Sequence, residues 1–310
     1  MNIQQLEYIL AVDRHRHFVQ AAEQCNVTQP TLSMMIRKLE DELGVKIFDR
    51  TRQPVVPTEI GAEVIAQAQI ILREAGRLTE LTKQYNGQMA GELRVGIIPT
   101  IAPYLLPQFI QKFMEKYPDI HLHITEMITE KVVYELKKGT IDAGIIATPN
   151  EENALHSIRL YREKLYVYAS EKANLYDKKY ILPDDIDPNE LWLLEEGHCF
   201  RTQIQRLCEL SRTGSTGLSL SYRAGNIETL IRLVERSGGL TIIPELAVND
   251  LTPTRLAHVR EFQAPSPVRE IQLIYNRKHV KTRLIAVLRD EILDRIPEEM
   301  KLNGNEVQVL

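Results

Sequence analysis

The sequence predicts an α/β chain in three parts: an N-terminal winged helix-turn-helix, a long linker helix and a two-lobed α/β domain. Three observations predict it. Residues 1 to about 57 read as helix, helix, turn, helix, then two short apolar runs around Arg50–Pro54. From Ile60 to about Met89 there is no proline, and apolar residues recur at helical spacing. Beyond Ala90-Gly91, short apolar strands alternate with amphipathic helices.

Ile3, Leu6, Ile9 and Leu10 give the first helix one apolar face. Phe18, Ala21 and Ala22 begin a second helix, which Asn26-Val27-Thr28 breaks. Thr28 is placed to cap a third helix, with Pro30 in its first turn. Leu32, Ile36, Leu39 and Leu43 form its apolar stripe, and Gly44 closes it. Val45–Phe48 and Val55-Val56 read as the two strands of a wing. Thr58 caps the long helix, whose stripe is Ile60, Val64, Ile71, Leu78 and Leu81. Glu63, Arg73, Glu74, Arg77, Glu80 and Lys83 fit its wet side. A helix this long and amphipathic needs a partner, so it is expected to pair in a dimer.

Leu93–Pro99 is a buried strand, followed by a helix carrying Leu105, Phe109 and Phe113. The strand His121–Glu126, the helix Lys131–Lys138 and the strand Ala143–Ala147 complete a β-α-β-α-β unit. That alternation predicts a parallel sheet with helices on both faces. A second round runs through Tyr166–Tyr168, the strand Leu191–Leu194, the helix Ile227–Arg236 and the strand Leu240–Ile243. Ile271–Tyr275 and the helix Arg283–Ile296 return to the first lobe. Two lobes joined by crossing strands enclose a cleft, the architecture of periplasmic-type ligand-binding domains. The expected boundaries are 1–58, 59–90 and 91–310, with one lobe at about 91–162 and 268–310 and the other at about 163–267.

At 44% hydrophobic and 26% charged, the composition is that of a water-soluble globular chain. The start, MNIQQLEYILAVDRHRHF, carries charges early and has no uninterrupted apolar core, so no signal peptide is expected. No apolar run approaches the roughly 20 residues that span a bilayer, and a reducing cytoplasm is the expected location. Three cysteines in 310 residues are no disulfide scaffold. Neither Cys-x2-Cys nor paired-His spacing occurs, so neither metal nor cofactor is expected.

In a helix-turn-helix the second helix enters the major groove of double-stranded DNA. Here its leading residues are Gln29, Pro30, Thr31, Ser33, Met34, Arg37 and Lys38. Gln and Ser hydrogen-bond bases, Thr and Met contact a thymine methyl, and Arg37 and Lys38 suit guanine or phosphate. Arg50 and Arg52 are placed to touch the backbone or the minor groove. The net charge of −4 announces no nucleic acid, and residues 1–60 hold seven Lys/Arg against eight Asp/Glu. Any positive field is local, and a small helical interaction module fits the same pattern.

Glu195–Cys208 (EEGHCFRTQIQRLC) holds two of the three cysteines. Cys199 follows a turn where a helix begins, so it meets a positive helix end, with His198 and Arg201 beside it. On a helix, nine residues separate the two thiols by about 13 Å, whereas a disulfide needs Cα atoms about 4.4–6.8 Å apart. If the segment is helical, a bond between them requires unwinding. Free cysteines are also ordinary small buried residues; that reading suits Cys25 and stays open for Cys208. His198 capping a turn, Arg201 as a solvated charge and Thr100 as a strand-end cap are the plain alternatives.

Phe18, Ala21, Ala22, Gln29–Ser33, Ile36–Glu40, Leu43-Gly44, Phe48, Arg50, Thr58 and Gly61 stand as in the LysR-type transcriptional regulators. Gly238–Pro244 is similar to a stretch late in that family's second lobe. Met34-Met35 departs from the polar or basic residues that many members carry there. Within the family, Gly197-His198-Cys199, Arg201, Cys208, Ile98–Thr100, Pro103–Pro107, Thr129 and Glu228–Leu230 resemble the peroxide-sensing OxyR branch. The resemblance implies a homodimer or homotetramer on operator DNA that acts with RNA polymerase. It implies hydrogen peroxide as the signal, Cys199 as the peroxidatic and Cys208 as the resolving cysteine. Thr100 and Thr129, with His198 and Arg201, then line the peroxide pocket, and a thiol reductant such as glutaredoxin or thioredoxin resets the protein. It implies no enzyme. Thr202 departs from the acidic residue that OxyR proteins can carry at that place. The rivals are a regulator answering to a small organic effector between the lobes, a thiol peroxidase and a solute-binding protein.

Overall fold

Asn2 and Gln5 open the first helix. Each side chain accepts the other's backbone amide, a capping box that starts α1 (Ile3–His15). The computed structural model describes residues 1–85, 89–148, 154–195, 199–208, 224–276, 281–301 and 307–309. They fall into two compact units, Met1–Gln88 and Met89–Leu310.

In the first unit α1 is followed by α2 (Phe18–Gln24) and α3 (Gln29–Leu43). Asn26 turns the chain at a positive φ of 54°. The Thr28 hydroxyl accepts the Thr31 amide at 3.4 Å, and Gly44 ends α3 in the left-handed region. Leu32, Ile36 and Leu39 are buried against Leu6, Ile9 and Val12, while Leu43 stays exposed. The wing is shorter than expected: β1 (Phe48–Asp49) and β2 (Val56–Pro57) pair over two residues. Val45–Ile47 is not strand, because Glu40 takes up its donors: the Val45 amide goes to the Glu40 carbonyl at 3.1 Å and the Ile47 amide to the buried Glu40 carboxylate. Oε1 accepts the Ile47 amide at 2.8 Å and the Phe48 amide at 3.3 Å.

Thr58 then caps α4 (Glu59–Tyr85), accepting the Gly61 amide and donating to the Lys46 carbonyl. Gly61 is there for space, since a Cβ would sit 1.9 Å from the Ile47 oxygen. Val64, Ile65, Ala68, Ile71 and Leu72 pack onto the core of α1 to α3. Part of the stripe read as a dimer face is therefore used within the chain; Ile60 and Leu78 are exposed. The Leu81 side chain lies outside the described residues.

The second unit opens with β3 (Gly91–Ile97), α5 (Ala102–Lys116), β4 (Ile120–Glu126), α6 (Thr129–Lys138) and β5 (Ala143–Ile146). These three strands are parallel, in the order β4-β3-β5. Next come β6 (Leu155–Ala169), β7 (Tyr180–Ile181), α7 (Cys199–Leu207), α8 (Ile227–Ser237) and β8 (Leu240–Pro244). The chain ends through α9 (Glu245–Asn249), α10 (Pro253–Leu256), β9 (Val259–Phe262), β10 (Ser266–Asn276), α11 (Thr282–Leu293), α12 (Glu298–Lys301) and β11 (Val307–Val309).

The parallel sheet expected of the β-α-β-α-β unit is there, and beyond β5 the long pairings are antiparallel. β10 lies antiparallel to β5 and β6, and β6 continues antiparallel to β8 and β9. The reason is the 15-residue β6: its first part pairs with β10 and its last five residues with β8, so one strand runs through two sets of partners. Leu191–Leu194 is not a strand. Leu191 bridges Leu240 and Leu194 bridges Ala224, two different partners, so no ladder forms. Among the described residues no helix is long and apolar enough to cross a membrane.

Replacing Glu40 with Ala leaves two buried amides and the Arg50 guanidinium short of an acceptor. The expected cost is about 3 kcal/mol. Hydrogen exchange of peptides from residues 1–57 in the full chain measures it, as loss of protection confined to that unit.

Candidate functional site

On α3, Pro30, Met34, Arg37 and Lys38 recur at helical spacing and are exposed, as is Gln29. Thr31 and Ser33 are half-buried. The Thr31 hydroxyl bonds that of Thr28, and Ser33 accepts from Arg50 Nη1 at 3.1 Å. Arg50 is engaged elsewhere as well: Nη2 pairs with Glu40 at 3.1 Å, and its guanidinium lies 4.9 Å from the centre of the Phe18 ring. It braces the wing against α3 and is not a free cation. Arg52 is well exposed and pairs with Asp49 at 3.2 Å.

In the second unit, the carboxyl ends of the parallel strands gather the other candidates. Thr100 follows β3 by three residues, and Thr129 is the first residue of α6, beyond β4. Cys199 is the first residue of α7. α7 is held by its buried Phe200, Gln203, Ile204 and Leu207. Gln203 Nε2 also donates to the Ala147 carbonyl just past β5, at 2.8 Å.

The charge at the thiol does not come from Arg201, whose Nη1 donates to the Leu194 carbonyl at 2.7 Å. It comes from Arg269 on β10, only 1% exposed. Arg269 donates from Nη1 to Thr100 Oγ1 and from Nη2 to the Thr100 carbonyl, both at 2.9 Å. Its Nε donates to Glu163 at 2.6 Å, and its guanidinium stacks 4.8 Å from the centre of the Phe200 ring. Thr100 is thus occupied as well as present. The Thr129 hydroxyl differs: it is buried and makes no hydrogen bond of ordinary geometry, yet lies near enough to the thiol to favour a thiolate. His198 lies outside the described residues. Thr202 is exposed.

Burial pushes the Cys199 thiol up. The Thr129 hydroxyl, the Arg269 charge and the backbone amides of Phe200 and Cys199 pull it down by less. The lowered value expected from sequence is therefore not the resting state. The forces named there are present, with Arg269 as the cation, but dehydration outweighs them. Cys208, at the far end of α7, is pushed up to about 12 by burial, with the Asp184 carboxylate adding to it. Its amide closes the last helical hydrogen bond, to Ile204 at 3.0 Å. Both thiols are free, and nine helical residues hold them about 13 Å apart along the axis. Cys25 is partly buried in the first unit, and burial raises it too.

Sequence reasoning missed Arg269, Glu163 and Gln203. Arg269 and Glu163 lie on strands read too short, and Gln203 lacks any local signal beyond its place on the inner face of α7. Among the described residues, no group of three or more His, Cys, Asp or Glu side chains could hold a metal ion.

A raised thiol stabilises the fold while protonated. For Cys208 that contribution is present below the ordinary value of 9.0 and is lost as pH climbs towards about 12. Iodoacetamide at pH 7.5 is expected to label folded Cys208 about 10³-fold more slowly than the urea-unfolded chain. Peptide mass spectrometry over a labelling time course measures the ratio.

Comparisons with known proteins bear on both units. Residues 3–62 match the bacterial regulatory helix-turn-helix proteins of the lysR family, and residues 86–297 match the LysR substrate binding domain. The "Hydrogen peroxide-inducible genes activator" of Haemophilus influenzae is 35% identical over 276 residues, 89% of this chain and 90% of that one. The "DNA-binding transcriptional dual regulator OxyR" of Escherichia coli is 36% identical, covering 89% of each. A full-length OxyR mutant from Pseudomonas aeruginosa superposes with a TM-score of 0.74 at 34% identity, over 94% of this chain and 98% of that one. A hydrogen peroxide-bound OxyR mutant from Corynebacterium glutamicum gives 0.62 at 27% identity, over 98% of each chain. Matched by family over both its units, the chain belongs to the LysR family of helix-turn-helix regulators.

Proposed function

We propose that the chain is a DNA-binding transcription regulator that senses hydrogen peroxide through Cys199 and a Cys199–Cys208 disulfide switch. One observation carries this reading: the Cys199 thiol heads α7 within reach of the buried Thr129 hydroxyl and of the charge on the buried Arg269, which is bound to Thr100, with Cys208 at the other end of the same helix. Peroxide is small, uncharged, and both donates and accepts hydrogen bonds. The Thr129 hydroxyl offers both roles in turn.

The chemistry balances in two steps. The Cys199 sulfur attacks one peroxide oxygen and the O–O bond breaks. The thiol proton leaves with the departing oxygen, giving sulfenic acid and one water. Arg269 stabilises the negative charge that develops. The Cys208 thiol then condenses with the sulfenic acid, giving a disulfide and a second water. The second step requires α7 to unwind, since its ends are too far apart to bond. Unwinding breaks the Gln203–Ala147 hydrogen bond and releases Phe200 and Ile204 from the core. That repacking is the signal passed to the subunit interface of a homodimer or homotetramer. The exposed face of α3 reads the operator, RNA polymerase is the effector of transcription, and a glutaredoxin or thioredoxin returns the thiols.

Mass spectrometry of non-reduced peptides after peroxide is expected to find the Cys199–Cys208 link in wild type and not in Cys199→Ser. A gel shift on an operator fragment tests the output: peroxide changes the wild-type footprint and leaves both Cys199→Ser and Cys208→Ser unchanged. A footprint that responds to peroxide without Cys199 overturns the reading. Thr129→Val removes the hydroxyl facing the thiol and is expected to slow Cys199 oxidation on the order of 10²-fold, measured by trapping the sulfenic acid with dimedone.

A further inference from the structure

Glu163 and Arg269 stand directly opposite each other in the β6–β10 ladder. Each is 1% exposed, and Arg269 Nε donates to Glu163 Oε1 at 2.6 Å. The two are held from both ends. Glu163 Oε2 accepts the Leu246 amide at the start of α9, at 3.4 Å, and the Arg269 Nη atoms are fixed on Thr100. We infer that Glu163 is a positioning residue for the thiol chemistry, fixing the Arg269 guanidinium on Thr100 and Phe200 and cancelling part of the charge that it presents to Cys199.

The argument is one of charge and aim. An arginine this deep is never deprotonated, so its cost falls only if an anion is paired with it. With Glu163 attached, the pair is neutral and acts on Cys199 as a dipole, weaker than a lone cation. The strand register makes the arrangement stiff: a slip of one residue would turn Arg269 to the other face of the sheet. The other titratable groups facing Glu163 are Tyr161 on β6 and Glu245 on α9; Arg269 on β10 is its cation. Around Cys199 the charged group is again Arg269, with Thr129 on α6 the neutral one. Burial pushes the Glu163 carboxyl up and the guanidinium opposes that, which fits a carboxylate kept in place by its partner. Glu163 touches neither the thiol nor the peroxide pocket and acts through Arg269.

The inference rests on Cys199 being the reactive thiol. Its test uses iodoacetamide and no peroxide, so its failure and that of the peroxide reading are separable. The measurement is the pH profile of Cys199 alkylation in the full-length Cys208→Ser protein. Glu163→Gln keeps the shape and one acceptor for Nε but removes the negative charge. The profile is expected to move down by about one pH unit, with alkylation about tenfold faster on its acid side. Glu163→Asp withdraws the carboxylate by one methylene and is expected to fall between the two; it carries the test if Glu163→Gln does not fold. Arg269→Gln is expected to move the profile up, and adding Glu163→Gln to it is expected to change nothing further. An unmoved or raised profile in a folded Glu163 variant overturns the inference. So does a Glu163→Gln effect of undiminished size in the Arg269→Gln background.

Discussion

The buried ion pair between Arg269 and Glu163 is the interaction on which the second unit's site depends. It joins β10 to β6, the two longest strands of the sheet, and both partners are almost wholly buried. Two charges in such a place cost several kcal/mol each unless their geometry is close to ideal. The pair comes close to that condition by using each nitrogen and the flat face of the guanidinium: Nε on Glu163, both Nη atoms on Thr100, the face on Phe200. Phe200 is the residue after Cys199. The cation that stabilises the fold at this point is therefore also the one that reaches the thiol, and site and scaffold cannot be altered separately there.

The first unit repeats the device with a different chemistry. Glu40 is buried in α3, yet its oxygens answer two wing amides and the Arg50 guanidinium. The exposed side of the same helix carries Met34, Arg37 and Lys38. A buried carboxylate thus fixes the wing against the face proposed to read DNA, and Arg50 is drawn inward in doing so. In both units an acidic residue of the interior orients an arginine that sequence alone would place elsewhere or overlook.

What was legible follows from how local each signal is. α3 could be read to the residue, because Thr28, Pro30 and Gly44 mark its ends and Leu32, Ile36 and Leu39 its inner face. α7 could be read because Glu195–Gly197 has the composition of a turn, so a helix is expected to start at Cys199. β6 could not: His156, Arg159, Arg162, Glu163 and Lys164 make it look like a solvated loop, and only the ladder with β10 explains them. Arg269 was lost for the same reason, since the apolar run of β10 starts at Ile271 and the strand five residues earlier, at Ser266. The direction of the Cys199 shift was also out of reach. A list of neighbours gives the forces that lower a thiol, but its dehydration depends on the packing of Phe200, Thr129 and Thr100 around it. The antiparallel pairings of β6 with β10, β8 and β9 were not legible because they depend on partners far along the chain, which is a property of the whole sheet.

The dehydrated thiol has a consequence for selectivity. A half-buried thiol that burial pushes up is a weaker nucleophile at neutral pH than an exposed one. A reagent that takes up the thiol's proton as it reacts is favoured over one that needs a ready-made thiolate. Such a thiol selects by proton demand, and at neutral pH it is slow towards electrophiles that meet only its protonated form.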